Sequence, residues 1–249
     1  MTTTHSAAAN LVRRAGLAIV RRHNQHELHV DSPLPSAPAL LVSNHGHGGI
    51  TDLNVCALGA TLDELGVSDS VVFLTHQIAW TLGFGRIAER LGCRPASKES
   101  ADEAFAARQY VAVFPGGDVD AAKPYQERHR IKFGGRSGYA RLAMKHEVPV
   151  VPVVTAGAGN SLFVLSDGQK LAKALSLPRL LRVKTLPVTL SIPWGLTIGI
   201  TTILPYLPLP VKITTAVLPA MHPEAGERPE DFAARVEQAM QARLDGLVR

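Results

Sequence analysis

Apolar residues fall along this chain in two rhythms. Short apolar runs that stop abruptly at glycine, proline or polar residues read as buried strands: 39–43, 71–74, 110–114 and 150–154, with a late candidate at 212–217. Between them lie stretches of helical spacing at 52–62, 77–91 and 137–146. Ser100-Ala101-Asp102-Glu103 has the form of a capping box and predicts a helix running to about residue 108. Near the end of the chain Phe232, Val236, Met240 and Leu244 recur every four residues, the mark of an amphipathic helix. Residues 6–22 also read as helical. Arg13, Arg14, Arg21 and Arg22 cluster on one side, and Leu11, Val12, Ala15, Ile19 and Val20 lie mostly on the other. Such a helix suits either an anionic membrane surface or packing on the rest of the domain.

Strands alternating with helices imply an α/β fold: one domain, with a mostly central β-sheet flanked by helices. Residues 1–30 are expected to form an N-terminal amphipathic helical segment, and 31–249 the main domain. The 249 residues are 46% hydrophobic and 19% charged, enough for one sizeable core and unlike a disordered chain. The stretch 186–209 is the most apolar, but Pro187, Pro193, Pro205, Pro208 and Pro210 interrupt it. It is expected to form loop and short elements with an apolar surface, not a membrane span. The N-terminus has no apolar run of signal-peptide length. Cys56 and Cys93 sit in apolar surroundings and read as buried thiols in a reducing compartment, not as a disulfide framework.

The net charge of +5 favours anionic partners: phosphate esters, anionic lipid or nucleic acid. Aromatics are only 5% and no nucleic-acid reader motif is present, so nucleic acid is not expected.

The chemistry concentrates where the 39–43 run ends, in Asn44-His45-Gly46-His47-Gly48-Gly49-Ile50-Thr51-Asp52. Strand ends of α/β sheets are where such folds place function. A histidine takes a proton near neutral pH, and a carboxylate on one ring nitrogen raises basicity at the other. A histidine–carboxylate pair without a nucleophile of its own suits an enzyme whose nucleophile is a substrate hydroxyl. Two other readings stand beside it: loop histidines with Asp52 merely capping the next helix, or a metal site from His45-Gly46-His47. The H-x-H form of metallo-hydrolases continues with Asp-His, where Gly48-Gly49 stand here, so no metal is expected.

A second constellation begins at Phe114-Pro115-Gly116-Gly117. Glycines after a strand let backbone amides approach a substrate. A basic, glycine-bounded stretch follows, in which Arg136 before the 137–146 helix is a candidate anion clamp.

Taken together, these segments resemble the glycerolipid acyltransferase family, which includes lysophosphatidic acid acyltransferases and diacylglycerol acyltransferase-like proteins. Leu41-Val42-Ser43-Asn44-His45 with Asp52 resembles its first block. Gly83-Phe84-Gly85-Arg86 and Leu91-Gly92-Cys93-Arg94-Pro95-Ala96-Ser97 resemble its second. Phe114-Pro115-Gly116-Gly117, Arg136-Ser137-Gly138, Ala140-Arg141-Leu142-Ala143 and the apolar run at 148–153 resemble its third.

The resemblance implies a histidine that deprotonates an acceptor hydroxyl and an aspartate that orients it. It also implies an acyl thioester donor (acyl-CoA or acyl-carrier protein), a lipid acceptor and no cofactor. The catalytic residues would be His45 or His47 with Asp52. Asn44, Phe114, Pro115, Gly116, Gly117 and Arg136 would bind substrate. Asn44 points to His45, because the family's histidine follows Asn; the four-residue spacing to Asp52 points to His47. Gly116 stands where phosphate-using members carry Glu, His76 near a frequent Lys, and Ala96-Ser97 in place of an acidic–Arg pair. These changes favour a neutral or bulky lipid alcohol over a glycerol phosphate. A peripheral location on the cytoplasmic face of a membrane is expected. A non-catalytic lipid- or acyl-binding protein on the same scaffold is the alternative.

Overall fold

The computed structural model describes residues 7–47, 52–75, 80, 85–176, 185–199 and 204–249. Its centre is a seven-stranded sheet built from β1 (Glu27–Val30), β2 (Leu40–Ser43), β3 (Val71–Thr75), β4 (Cys93–Pro95), β5 (Tyr110–Val113), β6 (Val150–Ala156) and a late strand, β10 (Thr214–Val217). The order across the sheet is β1-β10-β6-β2-β5-β3-β4. Strands β6, β2, β5, β3 and β4 are mutually parallel; β10 runs antiparallel to β6 and parallel to β1.

The helices are α1 (Ala7–Ala18), α2 (Leu53–Glu64), α3 (Gly85–Arg90), α4 (Lys98–Ala106), α5 (Gly117–Ala121), α6 (Gly138–Lys145), α7 (Gln169–Ala174) and α8 (Pro229–Leu247). Side chains alternate across each strand, so the sheet feeds two cores. Leu40 and Val42 of β2 face the layer of α4, α6 and α8. Leu41 faces the opposite layer, where Leu58 and Leu62 of α2 cover it. The fourfold apolar repeat of α8 is fully used: Phe232, Val236, Met240 and Leu244 are all buried in the first of these cores. Strands inside a two-sided sheet are nearly continuous apolar runs, and all four residues of β2 and all seven of β6 are buried.

Several boundaries differ from expectation. The helix expected from Ser100 begins at Lys98. Ser97 is the last extended residue after β4, and its hydroxyl accepts the Ser100 N–H, so the cap lies one turn earlier. Of the helix expected over 77–91, Gly85–Arg90 is helical; residues 76–79 and 81–84, including His76, Gly83 and Phe84, lie outside the described residues, as do 48–51.

The short elements expected in the 186–209 stretch are strands. They are β8 (Val188–Ser191) and β9 (Gly195–Ile198), which join β7 (Phe163–Ser166) in a separate antiparallel sheet. Pro187 and Pro193 flank β8, where a missing N–H costs no ladder bond.

Helix α1 runs into one π-helical turn, Ile19–His23, and packs on α2. Arg13 and Arg21 both pair with Asp63 of that helix. Cys56 and Cys93 are free thiols, and burial pushes Cys56 up to about 12. Among the described residues no helix is long and apolar enough to cross a membrane.

Candidate active site

Strands β2 and β5 are hydrogen-bonded neighbours whose following helices diverge. β2 leads to α2 on one face of the sheet; β5 leads, by way of α5, to α6 on the other. A crevice opens at the carboxyl ends of two such strands, and ligands bind there in open α/β sheets. Residues 44–47 and 52, and the turn 114–117, lie at this switch point.

Asp52 is the N-cap of α2. One carboxylate oxygen, Oδ1, accepts the Asn54 N–H at 2.9 Å; the other, Oδ2, lies 2.6 Å from Nδ1 of His45. Capping and pairing with histidine are therefore done by the same side chain, through different oxygens. The carboxylate can only accept, so Nδ1 carries the proton and the Nε2 lone pair is left to act as base. Asp52 is buried, whereas the His45 side chain keeps 18% exposure, enough for a substrate to reach the ring. The Phe114 ring lies against the imidazole, centroids 4.7 Å apart.

The two histidines thus occupy different environments. His45 holds Asp52; His47 is buried and sits edge-on to Tyr206, centroids 6.1 Å apart. Between them, a Cβ on Gly46 would come within 2.8 Å of Ala158 Cβ and 2.9 Å of Asn54 Oδ1, so this position has room only for glycine.

Asn44, expected among the substrate-binding residues, turns away from the crevice. Its side-chain amide donates to Thr155 O at 3.0 Å and accepts from Thr155 N–H at 2.9 Å, continuing the β2–β6 ladder with a side chain. Its own carbonyl accepts from Asn54 Nδ2 at 2.8 Å. Asn44 thereby fixes where the loop departs from the sheet.

Two residues that sequence reasoning did not find hold His45 by its backbone. Asp120 Oδ2 accepts the His45 N–H at 2.6 Å, and Lys123 Nζ donates to the His45 carbonyl at 2.9 Å. The two pair with each other at 2.7 Å, and both are buried. Lys123 also donates to Arg130 O, and Asp120 Oδ1 also accepts from Lys132 N–H. Every group is satisfied, which a buried ion pair requires. An Asp and a Lys three apart are common on any helix, so the spacing carried no signal.

The Phe114–Gly117 turn is shaped by the same cluster. A Cβ on Gly116 would fall 2.2 Å from Asp120 Cβ and 2.8 Å from Lys132 O. Gly117 adopts φ +48°, and its N–H turns back onto Phe114 O. Arg136, the expected anion clamp, donates through Nη1 to Pro115 O at 2.9 Å and to Gly116 O, and through Nη2 to Asp118 at 3.0 Å. Those nitrogens brace the turn. Among the described residues no group of three or more His, Cys, Asp or Glu side chains has the arrangement of a metal site.

Comparison with known proteins gives a consistent picture. The sequence profile described as Acyltransferase matches residues 11–156. An uncharacterized protein of Mycobacterium tuberculosis is 27% identical over 176 residues, covering 70% of this chain and 45% of the relative. A protein of Gallus gallus described as a DGAT1/2-independent enzyme synthesizing storage lipids is 28% identical over 156 residues, covering 61% of this chain and 46% of the relative. The chain spans less than half the length of these curated relatives. Among solved structures, the 1-acyl-sn-glycerophosphate (LPA) acyltransferase PlsC from Thermotoga maritima shares the fold, with TM-score 0.56 and 14% identity over 96% of this chain and 79% of that one.

Proposed function

Since the chain belongs to the acyltransferase family, we propose that it moves a fatty acyl group from an acyl thioester to a lipid hydroxyl, with His45 as general base and Asp52 orienting it. The observation that carries this reading is the 2.6 Å contact between His45 Nδ1 and Asp52 Oδ2 at the open end of β2. Nε2 of His45 takes the proton of the acceptor hydroxyl as its oxygen attacks the thioester carbonyl. The tetrahedral intermediate collapses, the C–S bond breaks, and His45 returns the proton to the departing sulfur. The products are an ester and a free thiol, carried by coenzyme A or by an acyl-carrier protein. Asp52 stabilises the imidazolium that forms in between. Phe114, lying against the ring, forms the wall beside the thioester.

The acceptor we favour is a neutral lipid alcohol such as a diacylglycerol. Position 116 has no space for the acidic side chain that phosphate-using members carry there. Two Arg136 nitrogens are committed to its own turn. The Gallus gallus relative, described as synthesizing storage lipids, accords with a neutral acceptor.

The test is mass-spectrometric product identification with acyl-CoA or acyl-carrier protein and a total lipid extract. A new acyl ester that disappears with His45→Ala is expected. No ester with either donor, across neutral and phosphorylated acceptors, would overturn the proposal.

A further inference from the structure

The small sheet β7–β8–β9 is built inside out. Phe163 pairs with Leu190, Leu190 with Leu196, and Val188 with Ile198. Residues opposite one another share a face. On this face Phe163, Leu190, Leu196 and Ile198 are exposed, Leu196 to 62%, and Leu165 of the same strand is exposed too. The alternate positions point inward and are partly polar: Val164 and Thr189 are buried, and the Thr189 and Thr197 hydroxyls lie 2.7 Å apart. Trp194, in the turn between β8 and β9, is half exposed. Its indole N–H donates to Pro205 O, so its polar edge is satisfied within the protein. A water-facing sheet normally alternates the other way; a contiguous apolar face of this kind marks a surface that something covers.

Charge identifies what covers it. Residues 168–223, which include β8 and β9, contain six Lys or Arg and no Asp or Glu. Helix α7 follows β7 directly and exposes Leu171 and Leu175 beside Lys170 and Lys173. An apolar face beside the exposed Lys170 and Lys173, where the nearby Asp167 carboxylate is engaged by Gln169, complements an anionic lipid surface. A second copy of the chain would instead set like charges against like.

We propose that the outward face of β7–β8–β9, with α7 beside it, docks on an anionic lipid bilayer. The N-terminal helix is the lesser candidate, because Arg13 and Arg21 of its basic side are paired with Asp63. Docking here also brings lipid to the histidines. The Phe163 ring lies tilted against Tyr125, centroids 5.0 Å apart, two residues from Lys123, and Tyr206, in the loop after β9, meets His47.

The inference goes beyond the acyl-transfer reading and fails separately from it, since vesicle binding is measured without donor. The full chain is sedimented with phosphatidylcholine vesicles with and without phosphatidylglycerol. Binding that requires phosphatidylglycerol is expected. Leu196→Ser/Ile198→Ser and Lys170→Glu/Lys173→Glu should each weaken it about tenfold, while Arg14→Glu should change it little. These side chains are exposed, so folding is not at risk. As a second readout, vesicles should shift tryptophan emission to the blue in the wild type but not in Trp194→Phe, which keeps Trp80. Unchanged binding in the Leu196/Ile198 variant, loss of binding in Arg14→Glu alone, or a dimer by light scattering that this face forms would overturn the proposal.

Discussion

Asp120 and Lys123 form a buried ion pair at 2.7 Å, and the pair grips one peptide unit from both ends: Asp120 takes the N–H of His45 and Lys123 its carbonyl. The imidazole of His45 is thus fixed twice. Asp52 sets the ring, and the pair sets the backbone from which the ring projects. Both side chains hold the backbone of His45 and not its ring, so they are positioning residues for the proposed base.

Breaking one half of this pair should cost more than removing both. Asp120→Asn and Lys123→Met each strand a buried partner, and a loss of about 3–5 kcal/mol is expected. The double variant should recover part of that loss, giving a coupling energy of order 1–3 kcal/mol in a double-mutant cycle by urea unfolding. In whichever variants stay folded, kcat should fall while KM stays near its wild-type value, since the acceptor site is not altered.

His45→Ala and Asp52→Asn are expected to lower kcat by about 10²–10⁴-fold, the range for loss of a general base or its orienting partner. Asp52→Asn also keeps an oxygen for the Asn54 cap, so its far-ultraviolet circular dichroism should match the wild type. His47→Gln is expected to lower Tm through lost packing on Tyr206 and to keep kcat within about tenfold. Steady-state kinetics on the three variants check this ordering.

Introducing the acidic residue of phosphate-using members at position 116 should not confer a phosphate acceptor. Even the Cβ of Gly116→Ala meets Asp120 and Lys132 O, a clash worth roughly 1–3 kcal/mol. Gly116→Glu should be less stable again, with no new product from lysophosphatidate, as thermal melts and product analysis would show.

His26 gives the fold a dependence on pH. Burial pushes its pKa below 6.5; nearby Glu64 opposes that shift and Arg21 adds to it. The unfolded chain therefore binds this proton more readily than the folded one. The contribution is fully present above pH 6.5 and is lost as pH falls through the folded-state pKa. Tm should decline over that acidic window, and His26→Gln should flatten the decline.

The main strands and long helices were legible because burial on both faces of a sheet demands unbroken apolar runs, and α8 demands a fourfold repeat. The Ser97 cap was missed because Ser100 offers the same chemistry one turn later. Short elements with an apolar surface were legible at 186–209, but their pairing into a sheet was not, because the apolar residues face outward and prolines interrupt the strand pattern. In the site, the sequence favoured His45 through Asn44, while the spacing to Asp52 favoured His47. In three dimensions it is His45 that meets Asp52, because Gly46 lets the chain pack on Asn54 and Ala158. Asp120 and Lys123 were invisible because their partner is a peptide group, which every residue has.

The edge of the main sheet has a consequence for biosynthesis. β1 is hydrogen-bonded to β10, which itself lies against β6. β10 begins roughly 190 residues after β1, and at about 5–20 residues per second a ribosome needs on the order of 10–40 s to cover that distance. During that interval the parallel strands β2 to β6 can assemble behind the ribosome while β1 waits with its backbone unpaired. The nascent chain therefore carries its candidate catalytic loops on an early-forming body, and the last strand to leave the exit tunnel slots between two that are already made.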